Sequence, residues 1–331
     1  MAKPIYVFSS GELTRQENTI WLMRDDGTRQ AIPVEAVSDL HVFGEVRLNK
    51  RFLEFMTSSG TALHFFNHYG YYVGSYYPRS KLNSGYLILK QAEHYLDGGK
   101  RLYLAKSFTE ASMQNAIRNL QYYRRRGRDL NEEISEVNQR LAEVKRAKQV
   151  EVVMGLEGKV RQVYYGAFNK IIEREGFDFT GRNQRPPTNA INALISFGNS
   201  LLYVAVLSEI YRTQLDPRIG YLHSTNERSF TLNLDIADVF KPVLVDRVIF
   251  SVVNKGQIKP SDFAEEMGGV YLKDKGRQMF VQAFEAKLQE TYKHRALNRS
   301  VSYRYSLRLE CYKLYRHFIG EQEYNGFVSE W

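Results

Sequence analysis

The hydrophobic and polar positions divide the chain into two parts with different periodicities. Up to about residue 80, short apolar runs alternate with turn signals such as Asp25-Asp26-Gly27. Short strands separated by turns predict a small antiparallel, β-sandwich-like domain. One short helix is predicted within it, from Asn49 to Ser58, with Asn49 as its N-cap. The candidate strands are Ile5–Phe8, Thr19–Met23, Ala31–Val34, Leu40–Gly44, Ala62–Phe66 and Tyr71–Gly74.

After a Pro- and Gly-containing segment at 77–85, the apolar spacing becomes helical. A seam of apolar residues with intervals of four and three runs from Leu130 to Val144 and suits an antiparallel helix pair. An apolar core helix is predicted over Ala190–Tyr203, where Gly198 allows tight packing, and an amphipathic helix over Lys275–Thr291. The predicted fold is therefore α+β with two domains, a small β-domain and a larger all-α one, and the motifs described below mark the larger domain as metal-binding. We assign residues 1–80 to the β-domain, 81–100 to a linker and first helix, and 101–331 to the α-helical catalytic domain.

Composition limits the cellular compartments and the partners that fit the protein. The single cysteine, Cys311, excludes an internal disulfide and a structural cysteine–zinc site, which fits a reducing cytoplasm. Neither a signal peptide nor an apolar run of about 18 residues is evident, so no membrane span is expected. A net charge of +9 favours a polyanionic partner, although it could merely maintain solubility. The basic run Arg124–Arg128 leaves the same choice, between gripping phosphates and ending a solvated helix.

Two aspartates, Asp235 and Asp238, sit three residues apart in an apolar segment that ends at Lys241 and Pro242. In a helix they share one face, and two neighbouring carboxylates in apolar surroundings call for a cation. Lys241, one turn beyond Asp238, could contact a phosphate at the same site or simply neutralise Asp238.

Two further residues complete a candidate ligand set. Glu157 falls on the apolar stripe of its helix, where a carboxylate needs a partner; that partner could be a metal ion or an arginine such as Arg161. His223 lies in a turn-rich loop 238 − 223 = 15 residues before Asp238, so a loop-to-helix return could bring the two together. Carboxylates with one imidazole suit Mn²⁺ or Mg²⁺ and could act on a phosphodiester.

The same segments carry a resemblance to a known family. Gly155-Leu156-Glu157-Gly158, the stretch from Ile219 to Ser224 and the stretch from Leu234 to Pro242 resemble the signature of the CRISPR adaptation integrase family, called Cas-one. The segment from Arg185 to Gly198, together with Phe8-Ser9-Ser10-Gly11 and Val42-Phe43-Gly44, is similar to further family hallmarks. The resemblance covers nearly the whole chain, with its motifs in the family's order and spacing.

The resemblance implies a homodimer that joins a small ferredoxin-like partner protein and inserts protospacer DNA into the CRISPR repeat. The reaction is a metal-dependent transesterification by DNA 3′-hydroxyls, and many members also cleave DNA. Residue by residue, Glu157, His223 and Asp238 match the metal ligands, Asp235 an auxiliary acid and Lys241 a basic residue of the site. The residues predicted to contact DNA are Lys241, Arg185, Arg304, Arg308, Tyr164 and Tyr165, with packing as the alternative for the two tyrosines.

Two rival hypotheses remain open at this stage. The chain could be a non-catalytic DNA-binding scaffold whose acids form buried ion pairs, which predicts no metal-dependent thermal shift. It could instead be a metal-dependent nucleotide phosphohydrolase, against which the absence of an adjacent His-Asp pair and of a Gly-rich phosphate loop counts.

Overall fold

The computed structural model of the chain describes residues 2–79, 82, 84–183, 186–224 and 230–329. It forms two compact units, Met1–Asn83 and Ser84–Trp331. The predicted β-domain ends at residue 80, close to the end of the first unit. The predicted segment of linker and first helix, 81–100, spans the junction, and its helix belongs to the second unit.

In its described residues, the first unit contains eight strands and one α-helix. Asn49 caps the helix through its side-chain oxygen, which accepts the N–H of Phe52, so the predicted N-cap is confirmed. Strand β2 escaped prediction because it is largely polar and buries only Gly11 and Leu13. The elements are β1 (Lys3–Val7), β2 (Gly11–Gln16), β3 (Thr19–Arg24), β4 (Arg29–Pro33), β5 (Val37–Val42), β6 (Val46–Leu48), α1 (Lys50–Ser59), β7 (Ala62–Phe66) and β8 (Tyr72–Tyr76).

Two four-stranded sheets make up this unit, in the orders β1-β5-β7-β8 and β4-β3-β2-β6. The prediction of a purely antiparallel arrangement is wrong, because β1 pairs with β5, β5 with β7, and β2 with β6 in parallel. Parallel neighbours need a long crossover, and helix α1 lies in the connection from β5 to β7. Turn residues report only local hairpins, so the sequence pattern could not reveal these crossovers. Both sheets and α1 bury their apolar faces in one core.

The second unit is predominantly helical. Its helices are α2 (Gly85–Leu96), α3 (Gly98–Arg124), α4 (Asn131–Arg146), α5 (Val150–Gly166), α6 (Phe168–Ile171), α7 (Ala190–Tyr211), α8 (Leu232–Lys241), α9 (Arg247–Asn254), α10 (Asp274–Gln289) and α11 (Tyr303–Phe318). The all-α prediction is wrong in detail, since two hairpins are present: β9 (Phe263–Glu266) with β10 (Gly269–Leu272), and β11 (Thr291–His294) with β12 (Arg299–Ser302). Met267 and Gly268 both have positive φ between β9 and β10, as a two-residue hairpin turn requires.

Helix α7 is the central core element. It is long and apolar enough to cross a membrane, but 89% of its most apolar window is buried within the fold. Gly198 permits its close packing, as predicted, because a Cβ there would lie 2.6 Å from a methyl carbon of Val245.

A second long helical run is assembled from α8, a π-helical turn at Pro242–Asp246, and α9. Pro242 has no N–H to donate and crowds the preceding turn, which accounts for the wider helical turn at this point. The run carries Asp235 and Asp238 near its start and leads away from them towards Asn254. It therefore connects the acidic pair with another part of the second unit's surface.

Candidate metal centre

The two aspartates of α8 have different environments although both are buried, with 0% of Asp235 and 2% of Asp238 exposed. Asp235 accepts the backbone N–H groups of Tyr221 at 2.6 Å, Leu222 at 3.1 Å and His223 at 3.0 Å. It also accepts the imidazole Nδ1–H of His223 at 2.8 Å. The carboxylate of Asp235 is thus fully engaged in holding the loop that carries His223.

The loop can approach α8 this closely because residue 220 is a glycine. A Cβ on Gly220 would lie 2.8 Å from the carbonyl carbon of Thr231, the N-cap of α8. The Gly220 N–H donates instead to the Thr231 hydroxyl at 2.9 Å. This junction brings a residue that is distant in sequence to the first turn of the helix, as the predicted loop-to-helix return required.

The imidazole of His223 points its second nitrogen at the other aspartate. Its Nε2 lies 3.9 Å from Oδ2 of Asp238, and 23% of the side chain is exposed. Burial opposes the charged imidazole, but the hydrogen bond to Asp235 and the charge of Asp238 outweigh it, so the pKa of His223 is raised.

Glu157 of α5 joins this group through Arg161, one turn further along the same helix. The Arg161 guanidinium contacts the carboxylate of Glu157 and lies 3.2 Å from Oδ2 of Asp238. Lys241 forms an ion pair with the other oxygen of Asp238. Burial works against ionisation of Asp238, but Lys241 and Arg161 prevail and its pKa is lowered. At Glu157 burial outweighs Arg161, and the pKa is raised.

The structure therefore brings together Glu157, His223, Asp235, Asp238 and Lys241 as a single cluster. In this arrangement the carboxylates face cations of the protein itself, as the Arg161 and Lys241 alternatives anticipated. In the part of the chain that the structure describes, no three His, Cys, Asp or Glu side chains stand at metal-ligand spacing. The cluster as it stands is an ion-pair network, and metal ligation by it stays a prediction.

The chemistry of the donors nevertheless fits a hard divalent cation. Two carboxylates and an imidazole nitrogen, held by a third carboxylate behind it, form a set that suits Mn²⁺ or Mg²⁺. A cavity of about 30 Å³ opens beside Glu157, Arg161 and Asp238, which is room for a water-sized guest. Arg161 would have to leave the space between the two acids for a metal ion to enter.

The cavity also contains a residue that the sequence analysis overlooked. Asp246, at the end of the π-helical turn, is 1% exposed, and burial raises its pKa to about 7. The sequence signal for Asp246 is its position directly after the apolar run Val243-Leu244-Val245. An acid in such a run is expected to be buried, and burying a charge without a partner is costly. Asp246 lines the same cavity as Tyr164 and Tyr165.

Helix α3 holds the acidic helix in place from the other side. The Ser112 hydroxyl donates to the carbonyl of Asp238 at 2.9 Å, Asn115 Nδ2 to that of Val239 at 2.8 Å, and Asn119 Nδ2 to that of Pro242 at 3.2 Å. These polar residues follow helical spacing on one face of α3. The sequence does not reveal these contacts, because a single buried polar residue inside a helix gives no signal of its partner.

Asn115 also binds the C-terminal tail. Its Nδ2 donates to the carbonyl of Phe327 at 2.9 Å, and its Oδ1 accepts the N–H of Ser329 at 2.8 Å. The Phe327 ring stacks on Phe240 at 4.9 Å. The described residues of the tail therefore pack on their own unit.

The residues predicted to contact DNA occupy varied positions. Tyr164 and Tyr165 are 4% and 3% exposed, and Asn119 donates to the Tyr164 hydroxyl at 2.7 Å, which favours the packing alternative for both. Arg304 pairs with Glu285 at 2.6 Å and Arg308 with Glu209 at 2.6 Å. Arg185 lies outside the described residues.

Fold and site together define a protein of two units whose helical unit carries a buried cluster of acids and one imidazole. A family model described as CRISPR associated protein Cas1 matches residues 5–286. The chain belongs to this family.

The chain is similar over its full length to proteins from several organisms. It is 50% identical over 331 residues to "CRISPR-associated endonuclease Cas1 2" of Thermodesulfovibrio yellowstonii, covering 100% of both chains. A solved structure of a CAS1 protein from Thermotoga maritima aligns with a TM-score of 0.88 at 47% identity, covering 99% of this chain and 100% of that one. A casposase bound to integration product, at 19% identity and a TM-score of 0.89, covers 99% and 93% and shows the shared fold.

Proposed function

We propose that this protein is the integrase of CRISPR adaptation and a DNA endonuclease, as the names of its full-length relatives and its own motifs support. The observation that carries the proposal is the placement of Glu157, Asp238 and His223 Nε2 in one cluster, where Arg161 bridges the two acids and Asp235 fixes the imidazole. Such a cluster costs considerable desolvation, and a purely structural role does not require an oriented imidazole at its open side.

Metal dependence is part of the proposal. Glu157, His223 and Asp238 would hold one Mn²⁺ or Mg²⁺ ion, with Asp235 acting behind His223. A divalent ion in such a site polarises a phosphoryl oxygen and activates a hydroxyl group or water as nucleophile.

The protein's own groups would prepare the site and receive the DNA. Asp235 holds His223 Nδ1–H, so that Nε2 is the nitrogen available to a ligand. Arg161 and Lys241 keep Asp238 ionised at neutral pH by their positive charge. Once Arg161 is displaced from between the acids, its guanidinium is free to bind a phosphate oxygen of the substrate.

The scaffold hypothesis makes a competing claim about the same contacts. It treats the ion pairs of Arg161 with Glu157 and Asp238 as the final state of the cluster. Thermal denaturation with Mn²⁺ or Mg²⁺ separates the two: a metal-binding site raises the melting temperature, and His223→Ala removes that rise. Equal melting curves with and without metal for the parent protein would support the scaffold.

The catalytic proposal is tested by strand transfer. The purified protein, its adaptation partner, a short duplex with free 3′-hydroxyls and a plasmid bearing a CRISPR repeat are combined with Mn²⁺ or Mg²⁺. Joining of the duplex to the repeat is expected with the parent, and none with Glu157→Gln. Joining that persists in EDTA would exclude a metal-dependent reaction.

We further propose a cytoplasmic homodimer that assembles with the small ferredoxin-like adaptation partner. The family resemblance supports this assembly, and the single buried cysteine suits a reducing compartment. Light scattering on the isolated protein and on the mixture tests both associations. A monomer that does not change mass with the partner would contradict them.

A further inference from the structure

A basic surface away from the acidic cluster organises around one tyrosine. The Arg126 guanidinium carbon lies 4.3 Å from the ring centre of Tyr122, and that of Arg247 lies 4.1 Å from it. Both guanidinium groups are therefore within cation–π range of the same ring. The ring thereby holds two like charges in fixed positions, which cation–π attraction makes tolerable.

Three arginines of this surface, from α3 and the turn that follows it, are not paired with carboxylates of the described residues. Within the described ranges, Arg118, Arg125 and Arg126 form no ion pair, in contrast to Arg128, which contacts Glu173. Arg304 and Arg308, which were predicted from the sequence to contact DNA, are both paired with glutamates. Part of the net charge of +9 is therefore concentrated at the end of α3.

A solvated helix end does not account for the arrangement. Cations suit the C-terminal end of α3 because of its dipole, and this would explain Arg124, Arg125 and Arg126 by themselves. It gives no reason for Arg247, which comes from the start of α9, to converge on the ring of Tyr122. Arg118 and Tyr122 are one turn apart on one face of α3, and Arg126 lies in the turn that follows the helix.

The surface has a defined relation to the acidic cluster. Helix α3 and the run from α8 to α9 lie side by side in the same direction, since Ser112 contacts Asp238, Asn119 contacts Pro242 and Tyr122 contacts Arg247. Tyr122 lies ten residues after Ser112 in α3, which corresponds to about 15 Å along the helix axis. That length matches roughly four steps along one strand of a DNA duplex.

We propose that Arg118, Arg125, Arg126 and Arg247 around Tyr122, the Tyr122 patch, bind the sugar–phosphate backbone of duplex DNA about four nucleotides from the reacting phosphate. This rests on the proposed function and adds a specific DNA contact to it. Guanidinium groups bind phosphates through paired N–H donors, and the phosphates are alike at every base pair. The contact is therefore independent of sequence.

The test measures binding of the full-length protein to a fluorescent DNA duplex by anisotropy, in EDTA and over a range of salt concentrations. Tyr122→Leu removes the ring that positions the guanidinium groups, and Tyr122→Phe keeps it. Arg126→Gln removes one patch charge, and Arg316→Gln removes one charge from an exposed arginine outside the patch that pairs with Glu321 at 3.6 Å. Arg126 and Arg316 thus give a pair of variants matched in net charge.

Tyr122→Leu and Arg126→Gln are each expected to weaken binding roughly fivefold, and Arg126→Gln to make the slope of log affinity against log salt less negative by about 0.9. Tyr122→Phe and Arg316→Gln should bind as the parent does. Parent-like affinity and salt slope in both Tyr122→Leu and Arg126→Gln, with unchanged melting temperatures, would overturn the patch. Glu157→Gln separates this outcome from failure of the proposed function, because it should abolish strand transfer while binding DNA normally.

Discussion

The carboxylate of Asp235 accepts both the backbone N–H and the imidazole Nδ1–H of His223, at 3.0 and 2.8 Å. With two more backbone N–H groups from Tyr221 and Leu222, all of its strong acceptor directions are used. Among the described residues, no backbone N–H donates to the carboxylate of Asp238, which instead faces Arg161, Lys241 and His223. The two acids, equivalent in the sequence pattern, therefore have separate roles: Asp235 positions the imidazole, and Asp238 faces the space where a cation would bind.

Substituting the two acids should separate these roles. Asp238→Ala is expected to abolish Mn²⁺ binding, because a direct ligand is lost. Asp235→Asn should lower Mn²⁺ affinity about 10- to 100-fold, as losing the partner behind a ligating histidine does. Titration calorimetry on the two purified variants measures both effects. Unchanged Mn²⁺ affinity in Asp235→Asn would show that the orientation of His223 is immaterial.

The raised pKa of His223 makes the metal-free protein sensitive to pH. Folding favours its protonated form, so this contribution to stability is fully present below the ordinary value of 6.5 and is lost as the pH rises through the higher folded pKa. In EDTA, the melting temperature should therefore fall more steeply above pH 6.5 in the parent than in His223→Gln. Mn²⁺ affinity should change in the opposite direction, rising over the same pH range as Nε2 loses its proton. If plots of melting temperature against pH were parallel for the parent and His223→Gln, they would contradict this assignment.

Asn115 links the acidic helix to the C-terminal tail, and its loss should be costly. Asn115→Ala leaves the buried carbonyl of Val239 and the N–H of Ser329 without their donor and acceptor. The expected loss is about 2–4 kcal/mol in the free energy of unfolding by urea. The control is Asn138→Ala, where the side chain donates to the carbonyl of Ile134 in its own helix, and the expected change is within about 0.5 kcal/mol. Equal losses of unfolding free energy in the two variants would contradict a specific role for Asn115 in linking the acidic helix to the tail.

The two tyrosines after Glu157 should prove structural. Tyr164→Phe removes the hydroxyl that accepts from Asn119 and should lower the free energy of unfolding by about 1 kcal/mol, with DNA affinity unchanged. Tyr165→Phe should leave both quantities close to those of the parent. Anisotropy with a DNA duplex and urea unfolding check the two expectations. A several-fold loss of DNA affinity in either variant would restore the DNA-contact hypothesis.

The elements that sequence could predict are those specified by neighbouring residues. Asn49 capping α1, the apolar α7 with Gly198 and the pairing of Asp235 with Asp238 on one helix face all follow from local spacing. The parallel pairing of β1 with β5 does not, because the partners are separated by three further strands. Hairpin turns near Met267 were overlooked, since the surrounding pattern is strongly helical.

At the candidate site, spacing and family resemblance predicted the acids and His223, but not the residues that surround them. The bridging position of Arg161 depends on how α5 packs beside α8, and a sequence pattern cannot fix that packing. Asp246 lies in the run from α8 to α9, whereas Ser112, Asn115 and Asn119 lie on α3. The contacts between these helices depend on tertiary packing, which a sequence pattern does not report. The arginines at the end of α3 were visible in the sequence, whereas the role of Tyr122 became clear only when Arg247 was placed against it.

The central claim is that Glu157, His223 and Asp238 act together in metal-dependent strand transfer. The most direct measurement is the integration of a duplex with free 3′-hydroxyls into a repeat-bearing plasmid, with the partner protein and Mn²⁺, by the parent and by Glu157→Ala, His223→Ala and Asp238→Ala. All three variants should lose integration by at least about 100-fold while remaining folded, and Arg316→Gln should integrate as the parent does. Full integration by any one of the three alanine variants would contradict the claim.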